Sequence, residues 1–304
     1  MDLSFFFQQF INALQLGSLY ALIALGYSMV YGVLLLINFA HGDIFMVGAF
    51  LGVTGSMVLN LPFVPTLLLA MLVTGLLGVT IERVAYKPLR QASRLSAVIT
   101  ALGVGLLLEN GMLALTGADP RSYPAEFIVT DSTPFGLSFD SVSITNVKIL
   151  VIALAFVLFL GLYTIVQRTK WGMAMRAISY DKFAVPLMGV SQDQIISLTF
   201  LLGAGLAAAG GILWGVAFPV LNPYMGMRIG WKAFIAAVVG GIGDIRGAMV
   251  GGLLLGFIEI YVVAYGKNIG VSSTWRDPIA FGLLLLILVV RPTGLFGVAR
   301  RQKV

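Results

Sequence analysis

One short run has the residues for chemistry: Asn38-Phe39-Ala40-His41-Gly42-Asp43, which holds the sole histidine of 304 residues. A histidine two residues from an aspartate, next to a glycine, is raw material for acid–base catalysis or for metal binding. Either centre needs partners that the sequence lacks. A metal site calls for further His or Cys ligands, and the chain has no cysteine and no second histidine. A nucleophilic triad fails similarly, with no Cys and no serine elbow to pair with the one His. No Gly-x-x-x-x-Gly-Lys-Ser/Thr run occurs, so if nucleotide powers this protein, another chain hydrolyses it. No metal or cofactor is called for. What remains is a polar break between two helices, where Asn38, His41 and Asp43 satisfy freed backbone groups. His41, with an ordinary pKa near 6.5, is there a hydrogen-bonding or pH-sensitive group.

Composition sets the elements that must position this run. Hydrophobic residues make up 59% of the chain and charged ones 11%, where a soluble domain carries roughly a quarter charged and under half apolar. That leaves too little polar surface for a water-soluble globule. The fold class is all-α, a polytopic integral membrane helical bundle of about 8–10 segments, some broken by Gly, because lipid forbids unpaired backbone. The ten-residue alternating segments of a β-barrel are absent. A net charge of +6 could speak for nucleic acid, but the cations lie in loops, where they report membrane topology. Lipid is a partner and nucleic acid is not. Met1-Asp2-Leu3-Ser4 lacks a basic n-region and no small-residue cleavage site follows, so the first helix is read as retained.

Apolar runs fall at about 10–37, 44–60, 66–81, 97–116, 147–167, 194–218, 231–239, 247–265 and 278–290. Loops 82–96 and 168–193 and the tail 291–304 are rich in Lys and Arg, and loop 117–146 is acidic. The positive-inside bias puts the first three in the cytoplasm, 117–146 outside, the N-terminus outside and the C-terminus inside. Two anomalies follow. The turn at 38–43 should be cytoplasmic yet carries no Lys or Arg, and Trp231–Val239 gives only about 14 Å of helix against a core of about 30 Å. The triplet Gly-Asp-Ile stands at both 42–44 and 243–245. Short, Gly-interrupted segments in two halves of a chain point to a duplicated transporter core with broken helices around its site. No soluble domain or linker is visible, so the whole chain, 1–304, reads as one membrane domain.

Glycines at spacing four (Gly243, Gly247, Gly251; Gly252, Gly256; Gly48, Gly52) let helices approach closely in lipid. Glu109 and Glu259 are the clearest acids within spans. Glu109 reads as interfacial, and Glu259, nearer a midpoint, as a pathway residue or an interhelical hydrogen bond. In 168–193, the stretch Tyr180-Asp181-Lys182-Phe183-Ala184-Val185-Pro186-Leu187-Met188-Gly189 has apolar residues where a free loop would be polar. Phe183 and Leu187, four apart, would share a helix face toward a partner groove or a membrane surface. Pro186 keeps any such helix short or kinked.

Several blocks resemble one family: Ile37–Asp43, Ile81–Arg90, Asn222-Pro223-Tyr224, Lys232–Gly243 and Arg291-Pro292-Thr293-Gly294. In order and spacing, from about residue 8 to 297, they are similar to the LivH-type permease of branched-chain amino acid ABC importers. The resemblance implies a non-catalytic subunit of the bacterial inner membrane. It implies as partners a LivM-like second permease, two cytoplasmic ATPase subunits and a periplasmic substrate-binding protein. It makes 168–193 the ATPase-coupling loop, with Asp181, Phe183, Ala184, Leu187, Met188 and Gly189 as coupling residues. Ala184 and Gly189 fit the general Glu-Ala-Ala, three residues, Gly pattern, while Phe183 and Val185 depart from it. Asn38, His41, Gly42, Asp43, Gly240, Gly241, Gly243, Asp244 and Glu259 are then expected to line or hinge the pathway. Rival readings are the same family with urea, amide or other amino acid substrates, and a stand-alone secondary carrier or channel. A purely structural scaffold would not need interrupted spans.

Overall fold

The computed structural model of the chain describes residues 3–90, 92–124, 127, 137–139, 142–182, 184–266 and 270–297. It is a polytopic all-α bundle, and eight described helices are long and apolar enough to cross a membrane. They are α1 (Leu3–Leu34), α2 (His41–Val53, continued by a π-helical turn Thr54–Val58), α3 (Phe63–Ile81), α4 (Arg94–Thr116), α5 (Asn146–Arg168), α8 (Gln192–Ala217), α10 (Ile245–Gly266) and α11 (Arg276–Val290). Short helices α6 (Lys170–Tyr180) and α7 (Ala184–Leu187) lie between α5 and α8, and α9 (Met225–Gly241) lies between α8 and α10. Hydroxyl caps start four of them: Ser93, Thr145, Thr169 and Ser191 accept from the first turns of α4, α5, α6 and α8. Helices α2 and α9 start without a side-chain cap.

Two three-helix units organise the centre. In each, a long helix is followed by an extended return, a helix that starts deep inside the bundle, and a second long helix: α1–α2–α3 and α8–α9–α10. Helix α8 runs antiparallel to α1, with Gly203 against Gly26 and Gly210 against Ile23. Helix α3 packs antiparallel on α8 (Gly75 at Leu201, Gly205 at Met71), as α10 packs on α1 (Gly17 at Leu253, Gly32 at Gly243). Helix α2 lies beside α8 as α9 lies beside α1. The units are therefore inverted copies, as the broken spans led us to expect. The Gly-Asp-Ile triplets are not the marker of this relation. Gly42-Asp43-Ile44 lies in the first turn of α2, whose counterpart is the start of α9, whereas Gly243-Asp244-Ile245 is the turn between α9 and α10.

Three further expectations change. The nine-residue run 231–239 belongs to a 17-residue helix, about 25 Å long, because the less apolar Met225–Gly230 is helical too. The basic segment 82–96 is no free loop at its start: Glu82–Tyr86 forms a π-helical turn with Glu82 and Tyr86 buried. Between 168 and 193, read as a loop, two helices form, and the one that holds Pro186 has only four residues, as short as that residue led us to expect. Segment 117–146 contributes a small hairpin, Leu137–Phe139 with Val142–Ile144, and a buried Tyr123. Of the tail, residues 298–304 lie outside the described residues. Leu295 and Phe296 donate their N–H groups to Val239 and Gly240 at the end of α9.

Candidate functional site

After Leu34, Leu35 adopts a left-handed backbone (φ 59°) and the chain turns back alongside α1. Helix α2 then begins well inside the bundle. The His41 ring presses on Gly26, two turns before the end of α1, and Gly26 faces Gly203 near the middle of α8. The run Asn38–Asp43 thus sits deeper than the boundary position its sequence led us to expect. Asn38 organises it. Its Oδ1 accepts from the Ala40 N–H (3.1 Å) and from the Tyr86 hydroxyl (2.7 Å), and its carbonyl accepts from the His41 N–H (3.1 Å). Tyr27 stands edge-on to the His41 ring, centroids 4.7 Å apart. All three polar side chains are buried, and each keeps an atom without a partner: Asn38 Nδ2, His41 Nε2 and Asp43 Oδ1.

The start of α9 meets this run. Gly42 packs on Gly226 and Gly230, and Asp43 reaches Gly226 with Oδ1 and Gly105 of α4 with Oδ2. Two helix N-termini without a side-chain cap, each the positive end of a helix dipole, therefore meet around one carboxylate. Of the expected pathway residues, Asn38, His41, Gly42 and Asp43 come together here.

The others do not. Gly240, Gly241, Gly243 and Asp244 form a second cluster, roughly 9 Å further along α1 at the Gly32 level. There Gly241 (φ 108°) and Gly243 (φ 98°) take backbone shapes that favour glycine. Gly243 N–H donates to Ser28 Oγ (3.3 Å), and Asp244 Oδ1 accepts from the Gly247 N–H (2.9 Å), capping α10. Glu259 lies in a third place, within an ion network. Lys232 Nζ donates to Glu259 Oε1 (2.8 Å) and Asp277 Oδ1 (2.7 Å), Tyr20 OH donates to Glu259 Oε2 (3.1 Å), and Arg276 Nε stands 3.6 Å from that oxygen. Both oxygens of Glu259 are engaged, which ties α1, α9, α10 and α11 together. At the other end of the bundle, Glu82 pairs with Arg90 and accepts from Ser197 Oγ (2.8 Å), while Arg90 and Lys87 both reach Asp193 of α8.

Lys182 Nζ donates to the carbonyl of Leu34, the last residue of α1 (3.0 Å). Asp181 Oδ1 accepts from the Ala184 N–H (3.0 Å) and so opens α7. Leu187 and Met188 are 87% and 82% exposed, and Gly189 closes the segment at φ 78°. Phe183 lies outside the described residues. The reading from sequence missed Gly105, Gly226, Gly230, Tyr86 and Lys232. A lone Lys inside an apolar run leaves hydropathy nearly unchanged, and the one available signal was a buried acid, Glu259, in need of a cation.

Inverted three-helix units whose middle helices start against each other inside a membrane bundle are the architecture of a transport permease. Residues 9–289 match the family described as the branched-chain amino acid transport system permease component. The chain belongs to that family. It is 41% identical to the high-affinity branched-chain amino acid transport system permease protein BraD of Pseudomonas aeruginosa, over 98% of each chain. It is 39% identical to the LivH permease protein of Escherichia coli, over 99% of this chain and 98% of that one. A probable LivH of Methanocaldococcus jannaschii is 27% identical over 94% and 91%.

Proposed function

We propose that this chain is the permease subunit through which branched-chain amino acids enter a bacterial cell across the inner membrane. The observation that carries this reading is the near-full-length similarity, at about 40% identity, to permease proteins of branched-chain amino acid transport systems. A LivM-like second permease, two cytoplasmic ATPases and a periplasmic binding protein complete the importer, and ATP is hydrolysed on those ATPases. The end of the bundle bearing 82–96, 168–193 and the tail is cytoplasmic, in keeping with its Lys and Arg content, and 117–146 and the N-terminus are outside. Leu187 and Met188 dock in an ATPase groove, with Asp181, Ala184 and Gly189 shaping the segment. Lys182 passes its movement to the end of α1. Asn38, His41, Gly42 and Asp43 border the path, Gly240, Gly241, Gly243 and Asp244 form a hinge at its inner end, and Glu259 anchors α9 beside it. ATP binding on the partners shifts the bundle between two arrangements.

The test is radiolabelled leucine uptake into proteoliposomes holding all the subunits, with competing solutes. ATP-dependent uptake, competed by isoleucine and valine, is expected. Competition by urea or amides instead would replace the substrate, and ion-driven uptake by this chain alone would overturn the reading.

A further inference from the structure

Acids inside a membrane are costly unless a cation accompanies them. Among the described residues, Glu82, Glu259 and Asp277 each pair with a Lys or Arg. Asp43 and Glu109 pair with neither. Asp43 is 6% exposed, and its Oδ1 has no partner. Its carboxylate lies between the first turn of α9 and α4, so close that a Cβ at Gly226 would stand 2.6 Å from Oδ1 and one at Gly105 2.5 Å from Oδ2. Small residues there let the backbones of α9 and α4 come right up to the carboxylate. Glu109, half-buried, lies one turn along α4 from Gly105, the residue that the carboxylate touches.

Two like charges in a low dielectric repel, and a cation arriving between them removes both the repulsion and the desolvation cost. The uncapped starts of α2 and α9 add the opposite feature. The dipole of α2 is met by Asp43 itself, and that of α9 favours an anion at its first turn. An amino acid carries both charges on adjacent atoms. We propose that Asp43 and Glu109 form the subsite that takes the α-ammonium group of the amino acid in transit, with the first turn of α9 facing its carboxylate. This assignment rests on the transport reading above and names the group of the solute that the site holds.

The test uses the intact importer in detergent without its binding protein, labelled by dicyclohexylcarbodiimide, an apolar reagent for intramembrane carboxyls, with the adducts mapped by mass spectrometry. Leucine and 3-methylbutylamine are expected to slow labelling of Asp43 at least fivefold, while 4-methylpentanoate, which keeps the chain and carboxylate but lacks the ammonium, leaves it unchanged. Equal protection by 4-methylpentanoate, equal protection by sodium at matched ionic strength, no protection by the amine, or no labelling without ligand would each overturn the assignment. In proteoliposomes, Asp43→Asn is expected to lose at least tenfold in leucine uptake. Unchanged uptake overturns the subsite. Absence of ATP-driven leucine uptake by the unaltered importer would instead sink the transport reading, whatever the labelling shows.

Discussion

Gly42 and Gly226 meet reciprocally: the position of a side chain on either one is taken by the carbonyl oxygen of the other. A Cβ on Gly226 would stand 2.8 Å from that oxygen of Gly42. Such mutual contact is what a two-fold relation between the units around α2 and α9 produces. Gly26 and Gly203 repeat it between α1 and α8, with Cβ-to-carbonyl separations of 3.1 and 3.6 Å. Backbone on both sides cannot step aside as a flexible side chain would. Gly42→Val and Gly226→Val should therefore cost about 1–3 kcal/mol by overpacking and lower leucine uptake at least tenfold. Gly103→Ala, on α4 with nothing near its Cβ, serves as the control and should transport normally.

Lys232 joins two acids, so removing it strands buried charge. Lys232→Met should destabilise the protein by about 3–5 kcal/mol, read as a lowered Tm in detergent. The double variant Lys232→Met/Glu259→Met should recover most of that loss, because breaking a buried pair costs more than replacing it with apolar groups. Additive losses in the double variant would show that the two residues act separately.

The coupling segment makes two separable predictions. Leu187→Asp puts a charge where an apolar contact is proposed, and co-purification of the ATPase chains should drop severalfold. Lys182→Met removes the donor to the Leu34 carbonyl without touching the docking side chains. Its complex should assemble and hydrolyse ATP, with uptake per ATP reduced. A parallel fall of assembly in both variants would contradict the division of roles.

Tyr123 supplies a pH test. Its hydroxyl donates to the Ala49 carbonyl (2.8 Å), and burial pushes the phenol well above its ordinary value. Unfolded, a tyrosine ionises near pH 10, so above that pH the unfolded state binds fewer protons than the folded one and stability falls as pH rises. Tm measured from pH 9 to 11 should drop more steeply in the unaltered protein than in Tyr123→Phe. At neutral pH the variant should lose about 1 kcal/mol with the hydrogen bond. Equal slopes would show that Tyr123 is not sequestered from solvent.

The sequence by itself determined the class of fold. Too few charged residues and runs of span length leave membrane helices as the one way to satisfy the backbone, and the interruption at 38–43 showed where a helix breaks. The blocks from Ile37 to Gly294 were specific enough to point to a family. Tertiary structure alone decided what the breaks do. Asp43 and Asp244 share the triplet Gly-Asp-Ile, yet Asp244 caps α10 while Asp43 is buried against α9 and α4. A local motif fixes backbone options but not the neighbour that arrives from 180 residues away. Glu259 read as a pathway residue or an interhelical hydrogen bond, and only packing brought Lys232, Tyr20 and Arg276 to it. Glu109 read as interfacial by its place in the run, and the contact of Gly105 with Asp43 sets it one turn of α4 from that acid's neighbour. Charge in a membrane takes its meaning from what lies within a few ångströms, and that distance is a property of the assembled helices.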